Sequence, residues 1–308
     1  MTGVIALDVG GTYIKGGAAG EDGILHESDR WFTGAERGPD AVLETVLAAA
    51  RELADRHAPA AAGIAVPGIV DETAGTSVLA ANLGWRQLPL RDWLAEELGL
   101  PVALGHDVRA GGLAEARIGA GRGSRDFLFV PVGTGIAAAL MSDGRAVTGS
   151  HVRAGELGHL VVRPGGQACP CGGRGCLETV ASAAAVARRY TAATGEDGVT
   201  AKHVGERAAA GDQAAVTVWN EAIEALADAL TAAVTLLDPE RIVIGGGLAR
   251  AGGPYFTPLR AAVAERLTFQ TMPQILPAEL GHEAGCQGAA LLAHDLLAHD
   301  PPQRKAGQ

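Results

Sequence analysis

A strand, a glycine turn and a second strand open the chain, and the same succession returns near its middle. In VIALDVGGTYIKGG, Val4 to Val9 is an apolar, β-prone run; Gly10-Gly11-Thr12 follows, then a second run from Tyr13 to Gly17. In FLFVPVGTGIAAALM, Phe127 to Val132 leads into Gly133-Thr134-Gly135 and a strand from Ile136 to Met141. Each copy continues through a turn, Glu21-Asp22-Gly23 or Asp143-Gly144, into a third strand, Ile24 to Ser28 in the first copy. A repeated unit of this kind points to two similar halves. Helical spacing marks Pro39–Arg56, Leu90–Leu98, Val108–Ile118, Thr179–Thr191, Asp212–Leu237, Pro258–Arg266 and Gly288–Leu297. Further strands are expected at Ala61–Val66, Val102–Gly105, Glu240–Ile244 and Gln274–Pro277. The order βββαβαβα predicts an α/β protein with a mixed sheet and helices on its faces.

A second feature restricts the chemistry. The stretch from Gly155 to Glu178, GELGHLVVRPGGQACPCGGRGCLE, holds His159, Cys169, Cys171 and Cys176. Structural zinc takes four ligands, commonly Cys with one or two His, and leaves no position open for water. Gly172, Gly173 and Gly175 let the backbone close around a small ion. The stretch reads as a structural Zn2+ knuckle that fixes the carboxylates at its ends, Glu156 and Glu178. Buried free thiols or a disulfide are the rival readings. Three is an odd number for pairing, and the one other cysteine is Cys286.

The glycine turns suggest phosphate binding, because glycine lets backbone N–H groups approach phosphate oxygens and a Thr hydroxyl adds a donor. Three such turns follow strands: Gly10-Gly11-Thr12, Gly133-Thr134-Gly135 and Gly245-Gly246-Gly247. No Gly-Lys pair occurs, so there is no P-loop, and no GxGxxG follows a strand. Asp8 ends the first strand, where a carboxylate can face a hydrated metal–nucleotide. Lys15 is either a phosphate contact or a solvated strand lysine. Asp107 stands where a strand gives way to a helix; it is a candidate base for phosphoryl transfer or a helix N-cap. Asn82, in the loop ANLGW, is a sugar-reading amide or a turn former.

Composition closes off other classes. The formal net charge is -10, and Lys15, Lys202 and Lys305 are the only lysines. Nucleic-acid binding needs clustered cations, so nucleic acid is not an expected partner. The N-terminal residues have no basic and apolar signal pattern, and no apolar run reaches membrane-spanning length, so no membrane partner is expected. The expectation is a cytoplasmic protein with reduced thiols.

Together these residues resemble the ROK family (repressors, open reading frames and sugar kinases). LDVGGTYIKGG is similar to its first phosphate motif, VPVGTGIAAAL to its second, and GELGHLVV with CPCGGRGCLE to its zinc-and-sugar signature. IVIGGGLA resembles its adenosine-side turn, and ANLGW and GHDVRA also fit, over roughly Val4 to Leu297. The resemblance implies a duplicated actin/hexokinase/Hsp70-like (ribonuclease H-like) fold, with two domains flanking an active-site cleft. The implied division is 1–107, a small α/β domain completed by a C-terminal helix at 288–300, and 108–287, a large α/β domain carrying the knuckle at 159–176. The polar segment 301–308 is expected to be a disordered tail.

The same resemblance implies ATP-dependent phosphorylation of a hexose at its primary hydroxyl, glucose first, with Mg2+ and a homodimer or homotetramer. Asp107 becomes the catalytic base. Asn82, His106, Asp107, Glu156, His159 and Glu178 fall on substrate-binding positions. Asp8, Gly10, Gly11, Thr12, Lys15, Gly133, Thr134, Gly135, Gly245, Gly246 and Gly247 fall on nucleotide positions, and His159, Cys169, Cys171 and Cys176 on zinc ligands. Family repressors carry a helix-turn-helix module before the glycine motif, which here begins at Asp8, and with the acidic charge that favours a kinase. The chain departs from the pattern at His106, where family kinases usually have a sugar-contacting Asn. Either His106 turns away and the acceptor is an ordinary hexose, or the pocket takes N-acetylmannosamine, kanosamine, another amino sugar or a cyclitol. A non-catalytic sugar-binding regulator is a further alternative, against which Asp8, Asp107 and the three turns speak.

Overall fold

A computed structural model describes residues 3–299; the tail expected at 301–308 lies outside the described residues. The chain divides into two compact units. One takes the described residues of Met1–Ala114, Gly149–Arg153 and Glu283–Gln308, the other Glu115–Thr148 and Ala154–His282.

The first unit is built on strands β1 (Val4–Val9), β2 (Tyr13–Ala19) and β3 (Asp29–Phe32), helix α1 (Pro39–His57) and strand β4 (Ala61–Val66). A small meander follows, β5 (Ile69–Asp71), β6 (Thr76–Ala80) and β7 (Trp85–Leu88), then α2 (Leu90–Leu98), β8 (Val102–His106) and α3 (Asp107–Ile118). The main sheet has the order β3-β2-β1-β4-β8, with β1 antiparallel to β2 and parallel to β4. Central β1 and β4 are covered on both faces, so they read as near-continuous apolar runs. On one face lies α1, whose buried Val42, Val46, Ala49, Ala50 and Leu53 follow helical spacing.

The second unit repeats that plan. Strands β9 (Phe127–Pro131), β10 (Ala139–Ser142) and β11 (Arg145–Ala146) precede helices α4 (Glu178–Ala181), α5 (Ala183–Thr194), α6 (Ala201–Ala209) and α7 (Gln213–Leu237). Then come β12 (Arg241–Gly245), α8 (Gly246–Ala249), α9 (Gly253–Arg266) and β13 (Gln274–Pro277). The sheet order β11-β10-β9-β12-β13 matches the first sheet strand for strand and direction for direction. Most of its core packs around α7, with Trp219, Leu226, Leu230 and Val234 buried. The chain ends in α10 (Ala284–His299), which packs on β1, β4 and β8 of the first unit. No helix among the described residues is long and apolar enough to cross a membrane.

Several local expectations shift. The third strand is Asp29–Phe32 rather than Ile24–Ser28, because the aromatic-bearing DRWF supplies the residues that pair with β2. Of the expected stretch, Leu25 forms only an isolated bridge to Ala19. The strand after the second glycine turn starts at Ala139, since Ile136 N–H goes to a Glu178 oxygen and Ala138 N–H to Gly155 O. The helix expected over Thr179–Thr191 breaks at Ser182, whose hydroxyl caps α5 by accepting Ala185 N–H. Helix α9 begins five residues before Pro258 and runs through it. The Pro254 carbonyl, which Pro258 cannot serve, accepts Trp219 Nε1–H at 3.3 Å. The final helix likewise begins earlier, at Ala284.

Close backbone approach seats α10. A Cβ at Gly63 of β4 would lie 1.8 Å from Ala289 O of α10. Gly63→Ala should therefore destabilise the protein by about 1–3 kcal/mol, since overpacking against backbone cannot relax by a rotamer change. Gly253→Ala, with nothing within 4 Å of the new Cβ, should stay within about 0.5 kcal/mol. Urea unfolding midpoints of the two variants check the contrast; equal midpoints would sink it.

Candidate active site and metal centre

In the first unit, the turn after β1 is shaped by its own backbone and by Thr33. Gly10 N–H donates to Tyr13 O at 2.9 Å, while Thr33 Oγ1 donates to Gly10 O at 2.7 Å and Thr33 N–H to Thr12 O at 3.0 Å. Gly11 and Thr12 are left exposed. A Cβ on Gly11 would stand 3.6 Å from the Asn82 Cβ, so the fold brings Asn82 beside the turn. Asp8 lies on β1 under the turn, and Lys15 Nζ donates to its Oδ2 at 3.5 Å. Burial raises the Asp8 carboxyl above the usual range, and the Lys15 charge only partly reverses this. A carboxylate in that state gains from an additional cation. Gly285 of α10 makes room for Asp8, since a Cβ there would sit 2.9 Å from the carboxylate.

Asp107 is the first residue of α3, directly after β8. Val108 N–H donates to its Oδ1 at 2.7 Å. The helix-capping role open to Asp107 in sequence falls instead to His106, whose Nδ1 accepts Arg109 N–H at 3.3 Å. His106 is buried, and its Nε2 stands 3.4 Å from Asp107 Oδ1. Burial, reinforced by the Arg109 charge, pushes the imidazole down to about 3. Glu72 and Arg109, which sequence reasoning missed, complete this corner. Glu72 Oε1 accepts both His106 N–H at 2.9 Å and Arg109 Nε–H at 3.0 Å, and Arg109 Nη2 donates to Val70 O at 2.9 Å. No local pattern signals a pair 37 residues apart.

In the second unit, two glycine turns are stitched together through Val132. Val132 N–H donates to Gly245 O at 3.0 Å, and Gly246, with φ 82°, lies so close that a Cβ would sit 2.3 Å from Val132 O. Glycine is required there on both counts. The turn Gly133-Thr134-Gly135 closes with Gly133 N–H donating to Gly135 O at 3.0 Å, leaving Thr134 and Gly135 exposed. Glu178 reaches this turn. Its Oε2 accepts Ile136 N–H at 2.9 Å, and a Cβ on Gly135 would lie 2.5 Å from that oxygen. Past Gly247, a cavity of about 690 Å³ is bordered by Thr200, Lys202, Glu206, Trp219 and Arg250, much of it from α6, an element not foreseen in the sequence.

Glu156 and His159 sit on a short turn pressed against the start of β10. Cβ atoms at Gly155 and Gly158 would stand 1.9 Å from Ala138 O and 2.1 Å from Ile136 O. His159 Nε2 faces Glu156 Oε2 at 3.8 Å, while its Nδ1 turns to Cys169 Sγ at 3.7 Å. Cys171 Sγ and Cys176 Sγ are also 3.7 Å apart, and the four ligand atoms lie within 4.8 Å of one another. Tetrahedral zinc at about 2.3 Å from sulfur separates its thiolates by about 3.8 Å, so the donor set fits a structural Zn2+. Burial pushes the Cys176 thiol up to about 12, so three adjacent thiolates need a cation to form together. The knuckle is anchored by Arg163, whose Nη1 donates to Asp228 of α7 at 2.6 Å. Cys286, outside the cluster, is buried against β1.

The family model described as ROK family matches residues 4–296. The chain is 34% identical over 310 residues to a glucokinase of Thermotoga maritima, covering 96% of this chain and 98% of that one. It is 33% identical over 291 residues to an N-acetylmannosamine kinase of Citrobacter koseri, covering 94% and 98% of the two chains. Among solved structures it resembles a ROK family glucokinase from Streptomyces griseus in complex with glucose and AMPPNP. That likeness has a TM-score of 0.85 and 31% identity, over 95% of this chain and 99% of the other. It gives the duplicated sheets the actin/hexokinase-like fold.

Protein purified without chelator should carry one zinc per chain by elemental mass spectrometry. Cys171→Ser alters the most exposed thiol and should lower that ratio well below one. Stripping the metal should lower the melting temperature, because a bound structural ion contributes directly to folding stability. A melting curve unmoved by metal removal would contradict a structural role.

Proposed function

The chain belongs to the ROK family, and on that premise we propose that it transfers the γ-phosphoryl group of ATP to the primary hydroxyl of a hexose, glucose first. The observation that carries this reading is Asp107. A chain similar to a glucokinase over 96% of its length carries a carboxylate at a strand-to-helix junction, partly exposed and bonded to a backbone N–H. In the reaction the acceptor hydroxyl oxygen forms a bond to the γ-phosphorus as the bond to the β,γ-bridging oxygen breaks. The hydroxyl proton passes to the Asp107 carboxylate, and ADP leaves.

The other residues divide the remaining tasks. Gly10 to Thr12 and Gly133 to Gly135 present backbone N–H groups and Thr hydroxyls suited to phosphate oxygens. Gly245 to Gly247, with the adjoining cavity of about 690 Å³, suits the adenosine. Mg2+, when bound, supplies positive charge to the phosphates; half-buried Asp8 is the residue that would face it through water, with Lys15 beside it. Asn82, Glu156, His159 and Glu178 read sugar hydroxyls. His159 keeps Nε2 for that purpose because Nδ1 faces the thiols. A zinc ion held by His159, Cys169, Cys171 and Cys176 would fix Glu156, His159 and Glu178 and take no part in bond making, four protein ligands leaving no open position.

Likeness to an N-acetylmannosamine kinase supports a second reading, in which the acceptor is an N-acetylated hexosamine. His106 does not favour a special pocket, because its ring is buried and turned to Asp107. We further infer a cytoplasmic location, which suits unbridged thiols, and assembly into a homodimer or homotetramer. Supporting assembly, Leu160, Leu236 and Leu237 are exposed around an apolar groove of about 400 Å³ in the second unit.

A panel of glucose, mannose, fructose, N-acetylmannosamine and amino hexoses, assayed with ATP, identifies the acceptor. Asp107→Asn should lower kcat by about 10²–10⁴-fold with little change in the acceptor KM. Near-full turnover in that variant at saturating acceptor would remove Asp107 as the base. Light scattering should give an oligomeric mass for the wild-type protein and a smaller one for Leu236→Glu; an unchanged mass would clear Leu236 from any interface.

A further inference from the structure

We propose that Glu72 is a positioning residue for the base: its carboxylate pins the chain on either side of Asp107 and so fixes where α3, and Asp107 with it, leaves the sheet. The inference rests on the reading of Asp107 as the base of a sugar kinase.

Asp107 stands where strand gives way to helix at the border of its sheet. β8 is the last strand in the order β3-β2-β1-β4-β8, so no further strand of that sheet steadies its outer edge. Its final residue, His106, donates its backbone N–H to Glu72 Oε1 at 2.9 Å. The same oxygen accepts Arg109 Nε–H at 3.0 Å. One carboxylate oxygen thus grips the residue before Asp107 and the residue two after it. The strand and the helix that meet at Asp107 are both fastened to a single point outside them.

The grip is stiff for chemical reasons. Arg109 is 3% exposed, and a guanidinium withdrawn that far from water needs a counter-charge, which Glu72 supplies. Arg109 Nη2 donates to Val70 O at 2.9 Å, so two bonds fix the plane of the guanidinium. Glu72 itself lies in the turn at 72–75, which is held from both sides. Within it, Ala74 N–H donates to Asp71 Oδ1 at 2.9 Å. From α2, Arg91 Nη1 donates to Thr73 O at 3.0 Å and Arg91 N–H to Gly75 O at 3.1 Å. Contacts therefore run from α2 through this turn to the start of α3, all within the first unit.

A carboxylate kept only to neutralise Arg109 has no need of the His106 amide. Taking both donors on one oxygen sets the strand end and the helix start together. Misplacing a reacting group by about 1 Å can cost about 10²-fold in rate. The effect belongs to turnover rather than to acceptor affinity, since Glu72 acts through the base.

The test is a double-mutant cycle read in kcat. With ATP and the acceptor that the wild-type protein uses, Glu72→Ala should lower kcat about tenfold or more while the acceptor KM stays within about threefold. Glu72→Gln keeps an oxygen for both N–H groups and should hold kcat within about threefold of wild type. In an Asp107→Asn background, Glu72→Ala should cost less than about threefold more, because orienting an absent base changes nothing. A merely structural role would lower both backgrounds alike. Deuterium exchange read by mass spectrometry should speed up about tenfold or more over residues 104–109 in Glu72→Ala and stay unchanged over β1.

A kcat unchanged in Glu72→Ala, or a KM raised tenfold with kcat kept, would overturn the proposal. So would an equal loss in the Asp107→Asn background, a Glu72→Gln no better than Glu72→Ala, or exchange at 104–109 indifferent to residue 72. If Glu72→Ala does not fold, Glu72→Asp, a methylene short of both donors, takes its place with the same results expected. If the wild-type protein phosphorylates no acceptor, the kinase reading fails, and exchange alone decides whether Glu72 holds the start of α3.

Discussion

One hydrogen bond joins the end of the cysteine-rich knuckle to the glycine turn at 133–135: Ile136 N–H donates to Glu178 Oε2. Its consequences run in both directions. With its N–H so engaged, Ile136 keeps only an isolated bridge to Val132, and β10 begins later, at Ala139. Ala138 N–H then goes to Gly155 O, and Ala183 N–H to Gly133 O. Gly155 and Gly158 must be glycine because backbone carbonyls of Ala138 and Ile136 approach too closely for a Cβ. In effect, the glycine turn at 133–135 and the segment that carries Glu156 and Glu178 share one backbone scaffold in the second unit. The donor set of His159, Cys169, Cys171 and Cys176, which fits a structural zinc, lies one side chain away from that scaffold. Local ordering of a few ångströms of backbone is what positional catalysis requires.

Carboxylates carry the corresponding burden in the first unit, each through a different neighbour. Asp8 is held by Lys15 and is costly as an isolated buried charge. Glu72 is neutralised by Arg109 and spends the same oxygen on the backbone of His106. Asp107 is braced by Val108 N–H and remains partly open to solvent. The three differ in the mobility of their partners. Arg109 is fixed by a further bond to Val70 O, whereas the lysine paired with Asp8 is on a flexible stem. That gradation suits the proposed division of labour, in which Asp8 faces an exchangeable cation and Asp107 keeps a fixed orientation.

Much of this could be read from the chain, and the parts that could not share a physical cause. Central strands such as Val4–Val9 and Ala61–Val66 were legible because burial on both faces demands continuous apolar runs. The clustering of His159 with the three cysteines was legible because three of the four donors stand within eight residues. Edge strand β3 was misplaced, since an exposed edge imposes little pattern. The short β5, β6 and β7 and the polar α6 went unseen for similar reasons. Ser182 hid a helix break inside an alanine-rich run, where propensity alone argues for continuity. Glu72 and Arg109 were invisible because their meaning lies in a contact 37 residues apart. The full-length likeness to ROK proteins supports the family reading; the individual site roles rest on geometry and chemistry.

The departure from the family pattern at His106 becomes intelligible once the helix start is considered. Position 106 must offer an acceptor to the third amide of α3, or a buried N–H goes unsatisfied. Asparagine and neutral histidine both meet that demand while presenting an N–H on the far side of the same side chain. Few other residues do: serine and aspartate cap well but bring no nitrogen donor, and glutamine carries its amide one methylene farther away. The exchange is therefore conservative for the fold, despite the change in size. What it alters is the direction of the donor. A buried imidazole here places its Nε2 3.4 Å from Asp107 Oδ1, a reach that the shorter asparagine amide does not have.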